Sequence, residues 1–197
     1  YIKRWLDICL SGLGLMILSP FFLLIIIAIK KDSSGPVLFK QKRVGIHKTH
    51  FNILKFRTMR TDTPKDMPTE QYITKVGKFL RKTSLDELPQ IINILKGDMS
   101  IIGPRPALWN QYDLIAERDK YGANGVMPGL TGWAQINGRD ELEIPVKARM
   151  DGEYVKRLSF QFDCICFLGT ILSVFRHDGV VEGGTGEMKK RGERDRV

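Results

Sequence analysis

A chain of 197 residues can close one domain around a real core and has little room for a second. Its 31 Lys and Arg against 22 Asp and Glu give a formal net charge of +9, which suits an anionic partner: nucleic acid, acidic lipid headgroups or a phosphorylated substrate. The cysteines, Cys9, Cys164 and Cys166, form neither a zinc-ribbon spacing nor a disulfide framework, which excludes those two classes and points to a reducing compartment.

Residues 8–29 contain no charged side chain, a run long enough as a helix to cover the ~30 Å hydrocarbon core of a bilayer. A cleaved signal peptide is disfavoured, because Lys30, Lys31 and Asp32 stand where a small-residue cleavage site is expected. Ser19 and Pro20 fall near the middle of the run; the proline removes a backbone hydrogen bond, and the Ser19 hydroxyl can serve a freed backbone group. Lys3 and Arg4 precede the run and Lys30, Lys31, Lys40, Lys42 and Arg43 follow it, so both ends read as cytoplasmic by the positive-inside rule. The expectation is a re-entrant helix-break-helix that enters one leaflet and returns, with a kinked spanning helix as the alternative.

Ser33, Ser34, Gly35 and Pro36 signal a loop, residues 37–39 a short strand and residues 40–45 a basic turn. Residues 51–59 alternate as a strand that carries Lys55 and Arg57 on one face, two cations side by side for an anion. His47 and His50 have no third ligand at a metal spacing and read as surface residues. Residues 61–68 form a polar loop, and residues 72–82 a short amphipathic helix.

The most informative stretch is residues 82–106. Ser84 and Glu87 have the spacing of a capping box and Pro89 falls in the first turns, which predicts a helix start with Asp86 beside unpaired backbone N–H groups. Such groups favour an ionised carboxylate and also attract phosphate. If Asp86 acts on a phosphate, a divalent cation must screen the two anions, and hard oxygen ligands indicate Mg²⁺. Arg105, held between Pro104 and Pro106, is the expected phosphate clamp. Simple helix capping and a stiff turn are the competing explanations of these residues.

Residues 107–121 predict a helix. Residues 128–139, punctuated by Gly129, Gly132 and Gly138 and closed by Arg139, predict a turn-strand-turn able to approach a ligand. Residues 143–158 predict a charged helix, and residues 160–175 an apolar helix short for a span, to be buried or laid on an interface. The glycine-rich and charged end from Gly179 onward predicts disorder.

Taken in order, the Ser19-Pro20 break, Lys55-Phe56-Arg57-Thr58-Met59, residues 84–90, Lys96-Gly97-Asp98-Met99-Ser100, residues 102–106, residues 128–139 and Leu158-Ser159-Phe160 with Asp163 resemble the bacterial sugar transferase family, the small monotopic phosphoglycosyl transferases. The resemblance implies an α+β protein, mostly helical with a short antiparallel β element: a re-entrant membrane helix (1–31), a catalytic domain at the membrane interface (32–178) and a flexible tail (179–197). It implies transfer of a phosphosugar from a UDP-sugar to polyprenyl phosphate, commonly undecaprenyl phosphate, with Mg²⁺, at the cytoplasmic face of the bacterial inner membrane. Asp86 corresponds to the nucleophile and Glu87 to the residue supporting metal or proton handling, the two together being the expected Mg²⁺ ligands; Pro104, Arg105 and Pro106 lie on the nucleotide and phosphate side, with Lys55, Arg57 and Arg139 as further substrate contacts. The chain is expected to be of the minimal type, without the extra amino-terminal helices of larger members. An N-acetylated deoxyamino sugar as donor, no nucleic-acid partner and a homodimer complete the expectations. Two other functions account for part of the pattern: a membrane-bound nucleotide-sugar pyrophosphatase, and a non-enzymatic module binding anionic lipid or nucleic acid.

Overall fold

The computed structural model describes residues 2–64, 70–138 and 142–176, and the side chains of the final helix through Ser173. The long apolar run is helix α1 (Ile2–Asp32), long enough and apolar enough to cross a membrane and for the most part not buried against the rest of the chain. Met16, Ile17, Leu23 and Leu24 are well exposed, an outward face that water does not favour. The helical assignment runs through Ser19 and Pro20. Pro20 lies inside it, and the hydroxyl of Ser19 donates to the Met16 carbonyl at 2.9 Å, the acceptor that the missing Pro20 N–H leaves unserved.

The inner face of α1 lies along the rest of the chain. Asp7 and Ser11, four apart, and Ile25 and Ile29, four apart, are buried. At one end Lys3 pairs with Asp163 at 2.6 Å, the Arg4 guanidinium caps the carbonyls of Ile94 and Leu95, and the Asp7 carboxylate accepts from the Ile101 N–H at 3.0 Å. At the other end Asp32 accepts from the Val76 N–H at 2.8 Å. Both termini of α1 therefore engage the same domain. Ile25, Ile29, Phe56 and Leu80 form one core cluster there, and each such side chain contributes about 1.5–3 kcal/mol of burial.

Strands β1 (Leu38–Val44) and β2 (His50–Phe56) form an antiparallel hairpin, so the expected basic turn at residues 40–45 is mostly strand. The reversal is made at residues 46–49, where His47 and Lys48 take positive φ. Helix α2 (Lys75–Lys82) starts on Thr74, whose side chain accepts from the Gly77 N–H at 2.9 Å. Gly77 is required because a Cβ there would lie 2.0 Å from the Thr58 carbonyl oxygen. Helix α3 (Gln90–Lys96) ends on Gly97 in the left-handed region.

A second, unforeseen sheet element is the parallel pair β3 (Ser100–Ile102) and β4 (Gly129–Thr131). Between them α4 (Tyr112–Asp119) is shorter than the helix expected at residues 107–121. Helices α5 (Trp133–Ile136), α6 (Ile144–Lys156) and α7 (Phe160–Arg176) complete the fold, so the stretch from residue 128 is strand and then helical turn rather than turn-strand-turn. The architecture is α+β and mostly helical with a short antiparallel hairpin, as expected. Arg118 and Asp151 form a buried ion pair between α4 and α6, with N–O distances of 2.6 and 2.8 Å.

Candidate active site

The acidic dyad sits on a tight 3₁₀ turn, Leu85–Glu87, between α2 and α3. Ser84 enters the turn in the left-handed region with φ 56°, a conformation that costs a non-glycine residue about 1–3 kcal/mol and recurs at functional sites. Its side chain makes no capping bond, and α3 begins after Pro89, so the capping box expected from the spacing does not form. Glu87 does other work. Its Oε1 pairs with Lys55 Nζ at 2.8 Å, and both its oxygens accept from the Arg105 guanidinium, Oε2 at 3.1 Å.

Three local devices hold that arrangement. Asn93 is 1% exposed and acts as a substitute strand along the free edge of β2: its Oδ1 accepts from the Leu54 N–H and its Nδ2 donates to the Asn52 carbonyl, each at 2.9 Å. That fixes α3 against β2 and brings Lys55 to the dyad. Arg4 of α1 caps the carboxyl end of the same helix. Arg105 is held through its neighbours, since the Pro104 carbonyl accepts from the Gly129 N–H at 2.9 Å and the Pro106 carbonyl from Arg43 Nη1 at 3.0 Å. A Cβ on Gly129 would lie 2.1 Å from the Gly103 nitrogen, so β4 reaches Pro-Arg-Pro only with glycine there.

The two carboxylates differ sharply. Burial works against ionised Glu87, but the charges and hydrogen bonds of Arg105 and Lys55 outweigh it and hold the carboxyl below the usual range. Asp86 goes the other way, pushed up from 3.8 to about 6 by burial and then by the charge of Glu87, against a smaller pull from Lys55, Arg81 and Arg105. Asp86 is half-buried and has neither a hydrogen bond nor an ion pair to another described residue. One member is a fixed counter-ion and the other a carboxyl poised near neutrality, a division of labour common where carboxylates do chemistry.

Among the described residues no three His, Cys, Asp or Glu side chains cluster to hold a metal alone. Mg²⁺ does not need such a cluster, being usually bound by one or two carboxylates together with substrate phosphates. Asp86 fits that pattern; Glu87 is engaged by Lys55 and Arg105.

Of the expected substrate contacts, Lys55, Arg105 and Pro106 come together beside the dyad, and Pro104 lines a separate recess with Arg118 and Asn124. Arg57 is not brought there: it is 7% exposed, and its guanidinium donates to the carbonyls of Ser33 and Ser34, tying the loop after α1. Arg139 lies outside the described residues. Arg81, whose charge reaches Asp86 from the last turn of α2, was missed, although its place five residues before the dyad was visible.

Comparison with known proteins identifies the family. The bacterial sugar transferase family profile matches residues 1–177, and the chain belongs to that family. It is 38% identical to the uncharacterized sugar transferase EpsL of Bacillus subtilis, covering 91% of this chain and 90% of that protein. It is 41% identical to the UDP-glucose:undecaprenyl-phosphate glucose-1-phosphate transferase of Escherichia coli, covering 88% of this chain and 40% of that protein. It is 36% identical to the UDP-N-acetylgalactosamine-undecaprenyl-phosphate N-acetylgalactosaminephosphotransferase of Aeromonas hydrophila, covering 88% and 44% respectively. The chain thus spans less than half the length of these two functionally named relatives. It is a transferase of the family in which undecaprenyl-phosphate sugar phosphotransferases fall.

Proposed function

We propose that the chain transfers a phosphosugar from a UDP-sugar to polyprenyl phosphate, undecaprenyl phosphate in the first instance, as the first membrane step of a glycan or glycoconjugate assembly. The observation that carries the reading is the asymmetry of the dyad: Asp86 without a fixed partner, beside a Glu87 bound to two cations. A carboxyl near pH 6 is largely ionised at neutral pH, and an unpaired one can attack.

In the first step an Asp86 carboxylate oxygen forms a bond to the β-phosphorus of the donor. The bond from that phosphorus to the bridging oxygen breaks, and UMP leaves with the electron pair. In the second step a phosphate oxygen of the lipid attacks the same phosphorus, the acyl–phosphate bond breaks, and Asp86 returns to carboxylate with the sugar now on a lipid diphosphate. Arg105 and Lys55, both fixed by Glu87, would stabilise charge on the transferring group. Mg²⁺, with Asp86 as the protein oxygen at hand and Glu87 as the second carboxylate of the turn, supplies screening between the donor diphosphate and the nucleophile when bound.

The proposed seat is the cytoplasmic face of the inner membrane, with α1 entering from one side only. Support comes from the contacts of Lys3, Arg4 and Asp7 at one end of α1 and Asp32 at the other with a single domain, while the opposite face of α1 is apolar and exposed. Single cysteines placed before residue 2 and after Lys31 should label from the same side; labelling from opposite sides contradicts the re-entrant reading. The relatives' names include glucose, galactose and N-acetylgalactosamine, so the N-acetylated deoxyamino donor rests on the resemblance alone and is decided by a UDP-sugar screen.

The deciding experiment is UMP release with and without lipid. A UDP-sugar alone should release about one UMP per enzyme and then stop, and polyprenyl phosphate should restore turnover. Sustained hydrolysis without lipid identifies a pyrophosphatase instead.

A further inference from the structure

Helix α2 has two unlike faces. On the inner one Gly77 and Leu80 are buried, Leu80 in the cluster with Ile25, Ile29 and Phe56, and Arg81 Nε donates to the Thr58 hydroxyl at 3.0 Å. On the outer one stand Lys75, Lys78, Phe79 and Lys82, whose spacing puts them on a single stripe; all four are exposed, Phe79 at 58%. The three lysines have no ion pair or hydrogen bond to another described residue, and α2 carries no acidic side chain. Lysines three and four positions apart repel one another, and Lys75 stands at the helix end where the dipole disfavours a cation. No described residue offsets that repulsion, so the stripe fits a partner that brings negative charge.

The surroundings of α2 select the partner. Its first turn is joined to the carboxyl end of α1, where Asp32 Oδ2 accepts from the Val76 N–H at 2.8 Å. Lys30 and Lys31, also exposed, precede that joint, where the apolar run leaves the bilayer in the proposed seat. Leu85, next to Asp86, packs on the same cluster as Leu80. We propose that the outer face of α2, with Lys30 and Lys31, is a binding surface for anionic phospholipid headgroups of the bilayer that α1 enters. The ammonium groups pair with headgroup phosphates and the Phe79 ring enters the boundary with the acyl chains. Charge alone also suits nucleic acid, but a phenylalanine within the stripe and the adjoining membrane exit select a surface that is anionic and apolar at once. Seated in this way, α2 holds the Asp86 turn, four residues beyond Lys82, close to the headgroup plane.

The inference rests on the membrane seat of α1 and not on the transfer chemistry. The chain carrying Phe79→p-benzoylphenylalanine, or Leu24→p-benzoylphenylalanine on the exposed face of α1, is placed in nanodiscs of equal parts phosphatidylglycerol and phosphatidylcholine. After irradiation the adducts are identified by mass spectrometry. The Leu24 probe should capture both lipids alike. The Phe79 probe should capture phosphatidylglycerol in preference by about fivefold or more, a ratio that falls toward one at high salt. Adding Lys75→Gln and Lys82→Gln should bring the ratio to within about twofold of one, whereas Lys75→Arg with Lys82→Arg should keep it, both at melting temperatures close to wild type. No lipid or equal capture of the two at Phe79, a ratio that the glutamine pair leaves unchanged, or a cross-linked second copy or nucleic acid in place of lipid overturns the proposal. No lipid at Leu24 overturns the seat of α1 and this surface with it; lipid at Leu24 without preference at Phe79 overturns this surface alone.

Discussion

Replacing Asp86 with Asn should remove the chemistry and make the protein more stable. The Asp86 carboxyl binds its proton more tightly in the folded chain, titrating near 6 instead of 3.8, because burial and Glu87 disfavour its charge. At about 1.4 kcal/mol for each tenfold in proton affinity, the ionised form costs the native state about 3 kcal/mol at neutral pH. Asp86 is only half-buried and the Asn amide needs its own partners, so a gain of about 1–2 kcal/mol is expected, or roughly 2–6 °C in melting temperature. The sign with pH follows from the direction of the shift. Between the unfolded value and about 6 the native state holds the extra proton, so wild-type stability falls as pH rises through that window. The advantage of Asp86→Asn should therefore be absent below about pH 4 and complete above about pH 7. Thermal melts of both proteins in the same detergent from pH 4 to 8 read it directly. An Asn variant that is less stable than wild type at pH 7.5, or a difference that does not change with pH, refutes the reasoning.

The same titration should appear in the kinetics: kcat/KM falls tenfold for each pH unit below about 6, since the nucleophile must be ionised. A profile flat to pH 5 contradicts a catalytic Asp86. Arg105→Lys keeps the charge but loses the two-pronged grip on Glu87, and kcat/KM should fall at least tenfold with a melting temperature close to wild type. Asn93→Ala strands the Leu54 N–H and the Asn52 carbonyl at the β2 edge and should cost about 2–4 kcal/mol, with activity lost in parallel as α3 loosens from Lys55. Retained activity in a destabilised Asn93→Ala protein argues that α3 does not position the site.

The sequence made the elements with strong local signals legible. The charge-free run became α1, the alternation around Lys55 became β2, and the apolar run at residues 160–175 became α7. It also pointed to Asp86, Glu87 and Arg105, because two adjacent carboxylates and an arginine between prolines are unusual within so short a span. What it did not reveal depends on contacts distant in the chain. Ser84 and Glu87 have the capping spacing, yet Glu87 is drawn off by Lys55 and Arg105, from 32 and 18 residues away. Strand alternation put Arg57 beside Lys55, but the carbonyls of Ser33 and Ser34 claim its guanidinium once α1 is in place. Periodicity cannot weigh such competition for a charged side chain. The β3–β4 pair was missed for a related reason: each strand has only three residues, too few for alternation to register. At Pro20 the Ser19 hydroxyl serves the Met16 carbonyl, as the sequence allowed.

Intact-mass and peptide mass spectrometry of enzyme quenched after exposure to a UDP-sugar, with Mg²⁺ and without lipid, bears most directly on the covalent step. The account predicts added mass equal to one phosphosugar on the peptide containing Asp86, lost again when polyprenyl phosphate is supplied. Full transfer activity with no such adduct, or an adduct on any other residue, contradicts it.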